Sequence, residues 1–182
     1  MKDLSLHIID IFQNSVSAKA SRIDLIINED TERDLLYIEI KDNGIGMSSE
    51  MLKNVTDPFF TTRTTRKVGL GIPLLKQGAE LTGGSFEIDS TQGLGTIMRV
   101  TFKHSHIDRQ PLGDLAGAVV LTASSYPKIR FVYKHTKDGA DFIFDTQEIN
   151  EVLDGISIQS PEVVLMLKEL IESNLEEIKV KN

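Results

Sequence analysis

Three glycine pairs and one polar helix face hold the residues of this sequence that could do chemistry. The run Asp42-Asn43-Gly44-Ile45-Gly46-Met47 follows directly on an apolar strand pattern. Two glycines one residue apart let the backbone turn sharply and approach a flat ligand, and an acid at the strand end can accept a hydrogen bond from it. On its own the run also reads as a plain strand-to-helix turn. Lys67-Val68-Gly69-Leu70-Gly71-Ile72 opens a helix, where free backbone N–H groups and the positive end of the helix dipole favour phosphate, though helix-start glycines are commonly structural. Gly93-Leu94-Gly95-Thr96 precedes a strand and by itself is a hairpin turn. Asp10 and Asn14 stand one helical turn apart and offer a carboxylate and an amide oxygen to the same point, a pair suited to positioning water and binding Mg²⁺. Taken alone, the pair reads as a solvated helix face. The signal lies in the order: acid-x-x-x-Asn, Asp-x-Gly-x-Gly, Phe-Phe-Thr-Thr-Arg, Gly-x-Gly, then Gly-x-Gly-Thr.

The elements that must position these residues follow from hydrophobic periodicity. Residues 3–20 set Leu4, Ile8, Ile9, Ile11, Phe12 and Val16 on one helical face, with Asp3 or Ser5 available as cap. His7, Asp10 and Asn14 fall on the opposite face within a stripe of about 60°, and His7 reads as a surface histidine. Residues 22–28 and 35–41 alternate with period two around a polar run and predict a β-hairpin. A short helix near 49–54, a Thr/Arg/Lys-rich loop to about 68, a helix near 70–81 ending at Gly83-Gly84, and strands at 85–90 and 96–103 complete the first part. The expected architecture is α+β, an antiparallel or mixed sheet with helices on one face. Residues 104–111 read as a linker, in which His104 and His106 are solvated, and residues 112–182 as a small module. That module has a helix-prone stretch at 112–123, a hairpin turning at Asp138-Gly139, and two helices, the last opening at Ser160-Pro161-Glu162. The apolar stripe of the last helix must be covered, by the same chain or by a second copy in a homodimer.

Assembled in this order, the motifs resemble the GHKL superfamily of histidine kinases, gyrase, heat-shock chaperone and mismatch-repair ATPases and anti-sigma serine kinases, over residues 4–103. Residues 12–20 look like the N box, in which Asn14 is implied to bind Mg²⁺, and Asp42, Gly44 and Gly46, followed by Met47, like the first glycine box. The resemblance implies that Asp42 accepts a hydrogen bond from the adenine amino group. Asp57-Pro58-Phe59-Phe60-Thr61-Thr62-Arg63 is similar to the histidine-kinase F box, and Gly69, Leu70 and Gly71 to the box that wraps the triphosphate. Gly95-Thr96 matches the last box, whose Thr supports adenine. The implied fold is a two-layer α/β sandwich, the Bergerat ATP-binding fold, spanning 1–103, with a small C-terminal β-hairpin/helix module at 112–182. A carboxylate at Asp42 suits adenine and is repelled by the carbonyl that guanine presents, a mismatch that can discriminate by roughly 10⁴. The loop 55–68 is the implied lid, with Arg63 and Lys67, ahead of Arg66, placed to meet phosphate beside Val68. Two positions depart from the family pattern. Asp10 stands where hydrolysing branches carry Glu, which bears on its role as base and implies slow turnover; Lys67 replaces a glycine and can reach phosphate instead.

Bulk properties bound the rest. With 182 residues, 40% of them apolar, the chain suffices for one domain and a small appendage. No apolar run approaches the ~20 residues of a bilayer span, Met1-Lys2-Asp3-Leu4 is unlike a secretory signal, and a cytoplasmic location is expected. Zero cysteines remove disulfides and thiolate chemistry, and a net charge of −7 argues against a nucleic-acid groove. Only six residues precede His7, so no phosphoacceptor module is expected ahead of the N box. The function expected is Mg-ATP binding with slow hydrolysis by way of Asp10, or use as a conformational switch, acting on a protein partner through 112–182. Transfer of the γ-phosphate to a protein and non-catalytic sensing of ATP are the alternatives.

Overall fold

In the computed structural model, which describes residues 2–57 and 71–180, six strands form one mixed sheet in the order β3-β4-β2-β1-β5-β6. Helix α1 (Leu4–Ser17) is capped by the Asp3 carboxylate, which accepts from the Leu6 N–H, and it stops where Lys19 takes φ 58°. Strands β1 (Arg22–Asp30) and β2 (Leu35–Asp42) pair antiparallel, with Ile23 opposite Asp42, so the expected hairpin is present and β1 runs further than its alternation predicts. Next come α2 (Ser49–Asn54), α3 (Gly71–Leu81), β3 (Phe86–Thr91) and β4 (Gly95–Lys103), with β4 lying antiparallel between β3 and β2. The expected lid residues Arg63, Arg66, Lys67 and Val68, together with Phe59, Thr61, Thr62, Gly69 and Leu70, lie outside the described residues.

Beyond residue 111 the chain forms α4 (Leu115–Ser125), the hairpin β5 (Arg130–Lys137) and β6 (Ala140–Asp145), then α5 (Thr146–Leu153) and α6 (Pro161–Val180). The hairpin turns at Asp138 and Gly139, both at positive φ, as the dipeptide predicts. What periodicity does not announce is that β5 pairs parallel to β1, Arg22 with Arg130 through Glu29 with Lys137, so residues 112–182 extend the same sheet. Leu36, Ile38, Val100 and Phe102 pack in one core with Phe131, Tyr133, Leu167 and Ile171. Helix α4 is apolar almost all round because it is covered on several sides, by α1, α6 and β5. The stripe on α6 is covered by this chain at Val163, Leu167, Ile171 and Ile178, while Leu165, Met166 and Leu170 of the same helix are exposed. No helix among the described residues is long and apolar enough to cross a membrane.

Four polar side chains form the network that fastens β5 and the 104–111 segment to β1. Glu29, 5% exposed, accepts from His135 Nε2 at 2.8 Å and from His104 Nε2 at 2.9 Å, and the Tyr133 hydroxyl donates to His135 Nδ1 at 2.7 Å. His104 is thus not the solvated linker residue expected from sequence. Burial alone would raise the Glu29 carboxyl, but the hydrogen bonds from His135 and His104 outweigh it and hold it at about 2. A carboxyl depressed in the folded state stabilises the fold above its unfolded value of 4.5, and that contribution fades as pH falls toward about 2. Glu29→Ala strands two imidazoles and is expected to cost roughly 2–4 kcal/mol at neutral pH. In thermal melts the gap between wild type and this variant should narrow below pH 4.5; a gap independent of pH would show that the carboxylate charge contributes nothing.

Candidate functional site

Helix α1 serves the core and a cavity at once. Leu4, Ile8, Ile11 and Phe12 are buried in the sheet-facing core, which fixes the rotation of the helix and turns Asp10 and Asn14 toward a cavity of about 340 Å³. The sequence residues Asp10, Asn14, Asp42, Gly46, Met47, Gly71 and Thr96 all line that one space, among the apolar side chains of Ile11, Ile40, Ile45, Ile72, Ile88 and Met98. Gly44 sits behind the wall, packed against Ala18. Cavities of this size and apolar character, with a few convergent polar groups, suit a small organic ligand.

Asp42 closes β2 beside Thr96, its register partner on β4. Its carboxylate is 8% exposed and is held by two donors: Ser15 Oγ at 2.7 Å on Oδ2 and the Gly44 N–H at 2.9 Å on Oδ1. A carboxylate has about four acceptor positions, so both oxygens keep capacity for a further donor. Ser15, 2% exposed, is the site residue that sequence reasoning missed. Its signal was present, because the residue after Asn14 lies about 100° round the helix, between the cavity face and the core.

The turn after Asp42 is locked from both sides. The Ile45 N–H donates to the Ala18 carbonyl at 2.8 Å, and the Gly93 N–H to the Ile45 carbonyl at 2.7 Å. Gly46 has φ +66°, and a Cβ there would lie 2.1 Å from the Thr91 carbonyl oxygen, so only glycine fits. Ser90 Oγ accepts from the Met47 N–H at 2.9 Å, donates to the Gly95 carbonyl at 3.0 Å, and lies 2.9 Å from Thr96 Oγ1. Thr96 is therefore positioned through Ser90, a second residue that the motif reading did not single out.

About 7.5 Å along α1 separates Ser15 from Asp10, which gives the cavity an Asp42 end and an Asp10 end. At the latter, α3 begins at Gly71, whose Cα approaches Asp10 so closely that an added Cβ would fall 1.8 Å from Oδ2. His7 is not on the surface as its helical position suggested. It is 1% exposed, because α3 covers it, and its Nδ1–H donates to the Gly71 carbonyl at 3.2 Å. Burial pushes its imidazole below the ordinary histidine value, with the bond to Gly71 opposing. Among the described residues no three His, Cys, Asp or Glu side chains converge on a metal position. The donor set for a cation here is the Asn14 amide beside Asp10, which fits Mg²⁺ only when a ligand's own oxygens and water complete its shell.

Comparison with known proteins identifies the family of the first part of the chain. The family described as histidine kinase-, DNA gyrase B-, and HSP90-like ATPase matches residues 2–106. A putative sensor protein of Shewanella frigidimarina is 36% identical over 97 residues, 52% of this chain and 15% of that protein. The sensor histidine kinase YxdK of Bacillus subtilis is 31% identical over 106 residues, 56% of this chain and 33% of its own length. The chain thus spans a third or less of these relatives. The MutL ATPase domain of Aquifex aeolicus, solved with ADP, superposes with a TM-score of 0.51 at 15% identity, covering 85% of this chain and 70% of that one. That coverage is more than residues 2–106 can supply, so the likeness of fold runs on beyond residue 106. Ser15→Ala, which removes a donor from a buried carboxylate, is expected to lower stability by about 1–2 kcal/mol in denaturant unfolding. An unchanged midpoint would mean that Gly44 alone suffices to hold Asp42.

Proposed function

The chain belongs to the family of histidine kinase-, DNA gyrase B- and HSP90-like ATPases, and from that premise we propose that its cavity binds Mg-ATP, which the protein hydrolyses slowly or uses as a conformational switch. The observation that carries this reading is the Asp42 carboxylate. It is buried, anchored by Ser15 and Gly44, and faces an apolar space whose far end is formed by Asp10, Asn14 and Gly71. In this reading Asp42 accepts from the adenine amino group while Ile45, Met47, Ile88 and Met98 cover the ring, and Thr96 supports the same end. Asn14 holds the cation, which neutralises phosphate charge when bound. Asp10 orients a water or hydroxyl and takes up its proton. The first turn of α3 at Gly71 meets phosphate with its N–H groups, and residues 112–182 carry the nucleotide state to a protein partner.

A second reading, transfer of the γ-phosphate to a protein side chain, is supported by the names of the relatives, sensor histidine kinase among them. Incubation with γ-labelled ATP, with and without host lysate, separates the two. Free phosphate supports hydrolysis, a labelled protein supports transfer, and tight binding with neither leaves ATP as a sensed ligand.

Asp42→Asn replaces the acceptor by a group that also donates, and is expected to weaken ATP binding about a hundredfold in calorimetry while the protein stays folded. Equal affinity in that variant would remove Asp42 from the site. Asp10→Ala should bind Mg-ATP within about threefold of wild type, since no transition-state contact is lost on binding, and should abolish turnover. Turnover at the wild-type rate would take Asp10 out of the mechanism.

A further inference from the structure

His7 sits one turn ahead of Asp10 on α1, in a place where an apolar side chain would serve packing alone. Burying an imidazole there costs desolvation that only a hydrogen bond can offset. The Gly71 carbonyl accepts and cannot donate, so the hydrogen of the ring is on Nδ1. Nε2 is buried, and the Gln110 side chain is its polar neighbour. The hydrogen on Nδ1 goes to the first residue of α3. Asp10 meets the same residue from the next turn of α1, its Oδ2 filling the space a Cβ would need. Helix α1 thus meets Gly71 at two points: the bond from His7 to the carbonyl ties it there, and Asp10 lies against it.

We propose that His7 is a positioning residue for the phosphate end of the nucleotide site: its Nδ1–H fixes the start of α3 against α1 and so sets the distance from Gly71 to Asp10 and Asn14. This rests on the reading of the cavity as an ATP site. The adenine end is held separately, because the donors on Asp42 are Ser15 and Gly44. Loss of the His7 bond should therefore be felt by ligands with phosphates and not by the nucleoside.

The test is calorimetric titration of Mg-ATP and of adenosine into wild type, His7→Leu and His7→Asn, with a thermal melt of each. His7→Leu is expected to lose about tenfold in ATP affinity while adenosine stays within about twofold. The Asn amide can place its NH₂ near the position of Nδ1, so His7→Asn should recover ATP affinity to within about threefold of wild type. A purely structural histidine predicts something else: equal losses for ATP and adenosine, or no rescue by Asn. Either result overturns the proposal, as does ATP affinity unchanged in His7→Leu. Should His7→Leu fail to fold, His7→Gln replaces it, because Gln reaches the place of Nε2 and leaves the Gly71 carbonyl unmet. Wild type that binds neither ligand overturns the ATP reading itself, whereas wild-type binding with an indifferent His7→Leu overturns the role of His7 alone.

Discussion

The hydrogen bond from Ser15 to Asp42 ties a strand end to a helix, and the geometry of the cavity follows from it. A carboxylate 8% exposed needs donors, and one of the two it has comes from α1. The rotation of α1 is not free, because Leu4, Ile8, Ile11 and Phe12 are locked into the core on its other side. A turn of the helix by one residue, about 100°, would take Ser15 from Asp42 and carry Asp10 and Asn14 off the cavity together. The site therefore inherits its accuracy from core packing as well as from its own hydrogen bonds.

The segment after residue 111 is built into the same arrangement. Pro111 and Leu112 carbonyls accept from the N–H groups of Leu4 and Ser5, so the start of α1 is closed by the chain that leads to α4. At the far end of β1, Glu29 gathers His104 and His135. Helix α1 packs against α3 beside the cavity and against α4, and strand β1 pairs with β2 on one edge and with β5 on the other. A change at Gly71 is thus two packed contacts from α4, through α1, and three from α6.

Most of the fold was legible because its signals are local. The Asp138-Gly139 turn, the cap at Asp3, the alternation of Ile23, Leu25 and Ile27, and the Ser-Pro-Glu opening of the last helix each act within a few residues. The glycine motifs, with Asp10, Asn14 and Asp42, were legible for the same reason, since each is a short run whose backbone demands are visible in its composition. What escaped was set by distance. The parallel pairing of β1 with β5 joins residues far apart in the chain and leaves no periodic mark. His7 was misread because a helical wheel shows which residues share a face, but not that α3 comes to cover that face. Ser15 and Ser90 were passed over because a serine becomes informative only when the carboxylate or amide it serves is in view.

The parallel ladder also orders events in time. Strand β1 is finished early in synthesis, but its second edge has no occupant until Arg130–Lys137 leave the ribosome, about a hundred residues later. For that interval the nascent chain presents Ile23, Leu25 and Ile27 beside an open row of peptide groups, the kind of edge that recruits foreign strands. The sheet has its full width only once β5 is laid along that edge, so the core that backs the cavity closes last.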